Sequence, residues 1–132
     1  MKGVILKICP AAQLVDISHD VERHHVRGGA FLLWMVVPYF PEKTVHCAVV
    51  DPGVGTARRA LAIVSEGQFL VGPDNGLLIP AAQRLGEFTV YSIENERYFQ
   101  APISRTFHGR DIFAPVAAYL ASGVSPEQLG LP

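Results

Sequence analysis

The chain has 132 residues, of which 49% are apolar and 17% charged, and its formal net charge is −1. That length bounds it to one domain with room for a real core. The charge makes no case for nucleic acid, and no apolar run approaches the ~20 residues of a membrane helix.

Met1-Lys2-Gly3 leads into a short apolar run broken by Lys7 and Pro10, which is not a secretory signal. Cys9 and Cys47 have no CxxC spacing, so reduced thiols in a cytoplasmic protein are expected. The high apolar fraction implies extra buried surface, at a subunit interface or against a further domain.

Val4, Ile5 and Ile8 stand at helical spacing and Cys9-Pro10 ends their helix, which has no N-cap of its own. Leu14-Val15-Asp16-Ile17 reads as a short buried strand, followed by the polar loop Ser18-His19-Asp20-Val21-Glu22. Val26 to Phe40 reads as a helix apolar all round, so buried on most sides with Trp34 in the core; Pro38 and Pro41 end it.

The β-branched run Val45–Val50 stops at Asp51-Pro52-Gly53-Val54-Gly55, and after Arg58-Arg59 a second apolar run covers Ala60 to Val64. Gly67-Gln68 turns into a third strand, Phe69-Leu70-Val71, which ends in Gly72-Pro73-Asp74-Asn75-Gly76. Leu77 to Leu85 is a helix closed by Gly86, and Phe88 to Ile93 is a strand. Glu94 to Ile103 is irregular.

Ser104 to Asp111 leads into a helix over Ile112–Ala121. Ser104 or Thr106 is its candidate cap, and Asp111 favours its positive end. Ser125 to Pro132 has linker chemistry. Strands alternating with helices predict an α/β layered domain with a central, mostly parallel or mixed β-sheet flanked by helices. Hairpin-like pairs around Gly53 and Gly67 favour a mixed sheet.

Three polar clusters sit at the ends of apolar elements: Asp51 with Arg58, Asp74 with Asn75, and His108 with Arg110 and Asp111. Strand ends in open α/β sheets are where ligands bind. An Asp, an Arg and a His converging there can orient a water: Asp fixes the imidazole, His accepts a proton, Arg steadies negative charge. Asp-Pro-Gly is equally an ordinary turn former.

Zinc is the competing chemistry, with His24, His25, His108, Asp51 and Asp111 as candidate ligands. Adjacent histidines and the lack of an HExxH or paired-Cys pattern argue against it, so no metal is expected. His46 within a strand reads as a satisfied histidine, and His19 as a loop hydrogen-bonder. GxGxxG, Walker A and GxSxG motifs are absent from the sequence.

Four segments carry a family resemblance. They are Leu14-Val15-Asp16-Ile17-Ser18-His19, Ala48-Val49-Val50-Asp51-Pro52-Gly53-Val54-Gly55-Thr56, Val71-Gly72-Pro73-Asp74-Asn75-Gly76-Leu77-Leu78 and Thr106-Phe107-His108-Gly109-Arg110-Asp111-Ile112-Phe113-Ala114-Pro115. In this order they resemble the S-adenosyl-L-methionine (SAM) hydroxide adenosyltransferases, the adenosine-forming SAM hydrolases related to fluorinase and chlorinase.

The resemblance implies hydroxide attack at C5′ of SAM, giving adenosine and L-methionine, with Asp51, Arg58 and His108 as the catalytic trio. It implies no cofactor, SAM or adenosine as ligand, and a homotrimer. Halogenating relatives carry a tyrosine at the position of Asp51, and fluorinase has a serine near Gly109 and a threonine near Val54. The likeness is therefore to the hydroxide users.

The chemistry is physically sensible. The sulfonium leaves as a neutral thioether, and attack by hydroxide cancels charge, which a dry pocket favours. Free water is a very weak acid, so hydroxide needs help at neutral pH. Arg58 would stabilise it, and the imidazole of His108 would take the proton. Sequence leaves open which member of the trio is the base.

Five further positions carry over as substrate-binding: His24, Asp74, Asn75, Phe107 and Gly109. For His24 a surface loop is the alternative, for Asp74 and Asn75 a turn, and for Phe107 core packing. Arg110 and Asp111 suit an ion pair setting the His108 loop. The family's usual opening Thr-Asp-Phe-Gly segment and its C-terminal β domain have no counterpart in residues 1–132, which read as a single α/β catalytic-type domain. A further domain or second chain is then expected to complete the pocket. The alternative is a non-catalytic SAM- or adenosine-binding or oligomer-forming module.

Overall fold

The computed structural model describes every residue except Arg23, Thr56, Ala57 and Pro132. Among the described residues four strands form one sheet in the order β1-β3-β2-β4. They are β1 (Val45–Cys47), β2 (Ala60–Ser65), β3 (Gln68–Pro73) and β4 (Phe88–Ser92). β1 runs parallel to β3, while β2 is antiparallel to both β3 and β4. The mixed α/β sheet flanked by helices is the expected class.

The hairpin at Gly67 forms as predicted, with Ser65 paired to Gln68 and Gly67 at φ +79°. The pairing expected across Gly53 does not. β3 lies between β1 and β2 and takes the hydrogen bonds of both. β1 therefore stops, and β2 starts, at the same end of the sheet, the end where β3 reaches Pro73.

Alternation along β2 and β3 serves two cores. Ala60, Ala62 and Val71 face one layer with Ile112, Phe113, Val116 and Leu120. Leu61, Ile63 and Leu70 face the other, with Ala30, Leu33, Leu77, Leu78 and Ala82. Burial on both faces explains why these strands read as continuous apolar runs rather than as alternating ones. Each fully buried Leu or Ile contributes about 1.5–3 kcal/mol relative to exposure.

The helices α2 (Val26–Val36) and α3 (Ile79–Leu85) cover the second layer; α4 (Ala114–Ala121) covers the first, and α1 (Lys2–Ile8) packs on α4. Gly29 lets α2 approach closely: a Cβ there would meet Leu77 Cδ1 and Val50 Cγ2, each at 2.9 Å. Because this helix meets the sheet with Gly29, Ala30 and Leu33, its large residues turn outward. Trp34 is 38% exposed and not in the core; Phe31 and Met35 are also exposed. Arg84 covers Trp34, its Cζ 4.0 Å from the ring centroid.

Two further expectations are corrected. Leu14–Ile17 is neither strand nor buried: Val15 is 67% exposed. Among the described residues no ladder partner pairs with it, and its Asp16 bonds Lys2 and His19. The end of the chain is not a linker. Leu129 is fully buried, and the carbonyls of Leu129 and Leu131 accept from the amides of Glu94 and Ser92. Pro132 lies outside the described residues. Among the described residues no helix is long and apolar enough to cross a membrane.

Candidate active site

Asp51 stands where the parallel ladder runs out. Ala48 N–H still donates to Val71 O at 3.0 Å, and Asn75 Nδ2 then takes Val50 O at 2.8 Å. Gly72 permits this closeness, since a Cβ there would collide with Ala48 O. Asn75 also accepts from Leu77 N–H at 3.2 Å. Its amide is thus a brace that fixes the backbone immediately before Asp51. Asp74 is engaged by Arg59 at 3.1 Å.

The Asp51 turn is pressed against the loop before His108. Gly55 sits at φ +79°, and a Cβ on it would lie 2.5 Å from Arg105 O. Only glycine meets both demands without strain. Thr56, part of the recognised segment, lies outside the described residues.

His108 opens one turn of π-helix, Gly109–Phe113, that leads into α4. Its loop is pinned by Asp111, which is 1% exposed. That carboxylate accepts from Ser104 N–H at 2.8 Å and from Arg110 Nε at 2.7 Å. The Arg110 side chain holds the Asp111 carboxyl below the usual carboxylate range, against the opposing effect of burial. The expected Arg110–Asp111 pair therefore exists. Ser104 does not cap α4; its hydroxyl instead accepts from Phe107 N–H at 2.8 Å.

These loops bring Asp51, Arg58 and His108 together. Arg58 Nε reaches both carboxylate oxygens of Asp51 at 3.1 and 3.2 Å, and Nη2 reaches Oδ2 at 2.5 Å. The same Nη2 lies 2.8 Å from His108 Nδ1. Both side chains of the ion pair are nearly dry, 11% exposed for Arg58 and 6% for Asp51. The Phe113 ring backs the guanidinium, 5.3 Å from Cζ. The order differs from the expected one: Arg58 stands between the acid and the imidazole, and Asp51 fixes the arginine.

The remaining predicted positions are distributed around this centre. Gly109 follows His108 directly and packs against Met1, whose Sδ would be 3.0 Å from an added Cβ. Phe107 is 59% exposed, not core, with Arg110 Cζ 5.0 Å from its centroid. His24 lies on the exposed turn before α2. Asn75 borders a cavity of about 430 Å³ with Val26, Phe31 and Trp34; Asp74 and Arg59 border another of about 300 Å³. Among the described residues no group of three or more His, Cys, Asp or Glu is placed to hold a metal.

Sequence reasoning missed Phe113 and Gly55 as builders of this site. Phe113 reads as one more apolar residue of a helix. Gly55 carried a readable signal, a second glycine two residues after Gly53 in a tight turn. His46 and Cys47 lie apart from the trio on β1. His46 is 7% exposed and bonds Gln68 Oε1 at 2.6 Å, the satisfied histidine expected. Burial raises the Cys47 thiol to about 12, so it stays an unreactive thiol.

Residues 1–130 match the family of SAM hydroxide adenosyltransferase N-terminal domains. A (R)-S-adenosyl-L-methionine hydrolase from Salinispora arenicola is 52% identical over 122 residues, covering 92% of this chain and 46% of that protein. A fluorinase from an Actinoplanes species is 28% identical, over 98% of this chain and 51% of its own. A crystal structure of an uncharacterized conserved protein from Thermotoga maritima superposes with a TM-score of 0.93 at 44% identity, over 98% of this chain and 50% of the other. The chain thus spans about half the length of these relatives.

Proposed function

The chain belongs to the SAM hydroxide adenosyltransferase N-terminal domain family, and from that premise we propose that it is the catalytic part of a SAM hydrolase, yielding adenosine and L-methionine. The Salinispora relative's name extends the proposal to the (R) epimer at sulfur. The observation that carries it is the hydrogen-bonded series Asp51–Arg58–His108, drawn from loops far apart in sequence.

In this proposal the trio binds the attacking oxygen. Arg58 is held rigid by a bidentate carboxylate and backed by an aromatic ring, so its charge is fixed in place before substrate arrives. Such preorganised donors act on charge as it develops and need no rearrangement. Holding oxygen, C5′ and sulfur in line supplies much of the remaining rate. No cofactor takes part.

The pocket is completed by residues beyond this chain, from a following domain or a second copy, and the assembly is a homotrimer. Phe31, Trp34, Met35 and Tyr39 support an assembly, because they leave large apolar surfaces exposed along one side of α2 and the turn after it. The second reading, a module that binds SAM or adenosine and assembles without turnover, rests on the same surface.

The test is incubation of the protein, alone and joined to the segments its relatives carry, with each sulfonium epimer in ¹⁸O-labelled water. Adenosine labelled at the 5′-oxygen, with methionine, is expected, and a chelator is expected to change nothing. Binding of adenosine without product in either form would favour the module. Product that vanishes with chelator would replace this chemistry with metal-assisted hydrolysis.

A further inference from the structure

We propose that His108 enters the site as a neutral imidazole carrying its proton on Nε2, and that it donates a hydrogen bond to the attacking oxygen rather than accepting that oxygen's proton. The second half rests on the hydrolase reading; the first half does not.

The polarity follows from what a guanidinium is able to do. It has five N–H donors and no acceptor. Arg58 Nη2 lies 2.8 Å from His108 Nδ1, so the bond exists only if Nδ1 offers its lone pair. A proton on Nδ1 would set N–H against N–H, and a ring protonated on both nitrogens would also set one cation against another. Turning the ring over would place a C–H against the guanidinium and lose the bond. The neutral ring therefore keeps its one proton on Nε2.

Arg58 is in no position to yield. Nε and Nη2 are both committed to Asp51, whose side chain is 6% exposed, and Phe113 stands behind the guanidinium plane. Of the charges on the His108 turn itself, Arg110 and Asp111 are engaged with one another. Arg110 pairs with Asp111 and leans on Phe107, and Asp111 also takes Ser104 N–H. The thioether of Met1 lies against the turn at Gly109.

Hydrogen bonds therefore run in one direction through the trio. Asp51 accepts from Arg58, Arg58 donates to His108, and His108 donates outward from Nε2. A series of this polarity ends in a donor, and a donor grips an oxygen by its lone pair. One lone pair of a bound water is held by Nε2–H while another attacks C5′. The C–S electron pair leaves with sulfur, which becomes a neutral thioether. The proton of the new C–OH₂⁺ group passes to solvent water. One positive charge enters as sulfonium and one leaves as a hydrated proton.

Long-range ¹H–¹⁵N correlation spectra of the labelled protein at neutral pH read the tautomer directly, with no substrate present. His108 is assigned from the peaks that vanish in His108→Gln. A bare Nδ1 and a protonated Nε2 are expected. His46 serves as an internal reference: Gln68 spends its Nε2 on the carbonyls of Val37 and Phe40, so its Oε1 must accept from His46 Nε2–H. In Arg58→Ala the His108 ring is expected to lose its bias and populate both tautomers. A protonated Nδ1 in the unsubstituted protein would overturn the proposal whether or not SAM is turned over.

Turnover separates the two roles. Glutamine presents an N–H near the position of Nε2 but takes no proton at neutral pH. His108→Gln is expected to stay within about tenfold of the parent kcat, and His108→Ala to fall about 100-fold, as loss of one preorganised donor does. Glutamine as inactive as alanine would mean that the imidazole accepts the proton, and would overturn the donor role.

Discussion

Replacing Asp51 by alanine tests the core of the site. The substitution removes the acceptor of three contacts from Arg58 and leaves its guanidinium, 11% exposed, without a counter-charge. Removing one partner of a buried pair costs about 3–5 kcal/mol, because the other charge remains desolvated and unpaired. Arg58 keeps its bond to His108 and its aromatic backing, which points to the lower end, about 3 kcal/mol. For a chain of this length that is a fall in Tm of about 10 °C. Domains of this kind are stable by about 5–15 kcal/mol, so the variant should fold. The assay is a denaturant cycle of Asp51→Ala, Arg58→Ala and the double variant, with turnover of SAM measured on each. The double variant should lose little more than either single one, a coupling of about 2–3 kcal/mol, and turnover should fall in all three. Additive losses would show that the two charges do not depend on one another, and unchanged turnover in all three would remove the catalytic assignment.

Gly55→Ala forces a side chain into a left-handed backbone and against Arg105 O. A loss of about 1–2 kcal/mol is expected, with a larger fall in kcat than in stability, because the two loops that carry the trio must part; a kcat equal to the parent's would refute that coupling. Asp111→Asn removes the charge that binds Arg110 and weakens the grip on Ser104 N–H. It should cost about 1.5–3 kcal/mol and speed amide exchange across 104–108, and exchange confined to other segments would count against the anchor. His46 is buried, and burial holds its pKa below the ordinary 6.5, with its bond to Gln68 opposing. Its contribution to stability is whole above 6.5 and is lost as pH falls from there through the lowered folded value. The denaturation midpoint should therefore drop on mild acidification, and His46→Gln should flatten that drop; a slope left intact in the variant would assign it to other groups.

What the sequence shows well is where apolar runs stop. Val50, Val71 and the start of the Ile112 run each end or begin at the polar residues that build the site, because a strand or helix leaving a core exposes its end. Strand order is another matter. Val45–Val50 and Ala60–Val64 are neighbours in sequence and share the same composition, so local pattern pairs them. β3 separates them because it is buried on both sides and satisfies both neighbours at once. Trp34 misleads for a related reason. A helix that is apolar all round does not say which side meets the sheet, and Gly29, with no side chain to hold the layers apart, decides it. At the far end, Leu129 in a Pro-, Glu- and Gln-rich stretch gives no periodicity, yet two carbonyls beside β4 and one buried leucine are enough to fix it.

Residue type alone suggests roles for an acid, a cation and an imidazole, but not the order in which they touch. With the acid against the imidazole, the ring would carry its proton on Nδ1 and present a lone pair to the substrate, ready to take a proton. With the arginine between them, as here, the proposed tautomer presents an N–H instead. The same three residues thus make a base or a donor according to which is in the middle. Phe113 favours that arrangement by standing behind the guanidinium, from the first turn after His108. For a reaction whose leaving group is already positive, a donor is the apt arrangement. In the proposed reaction the sulfonium needs no protonation, and the proton of the attacking water becomes acidic as the C–O bond forms.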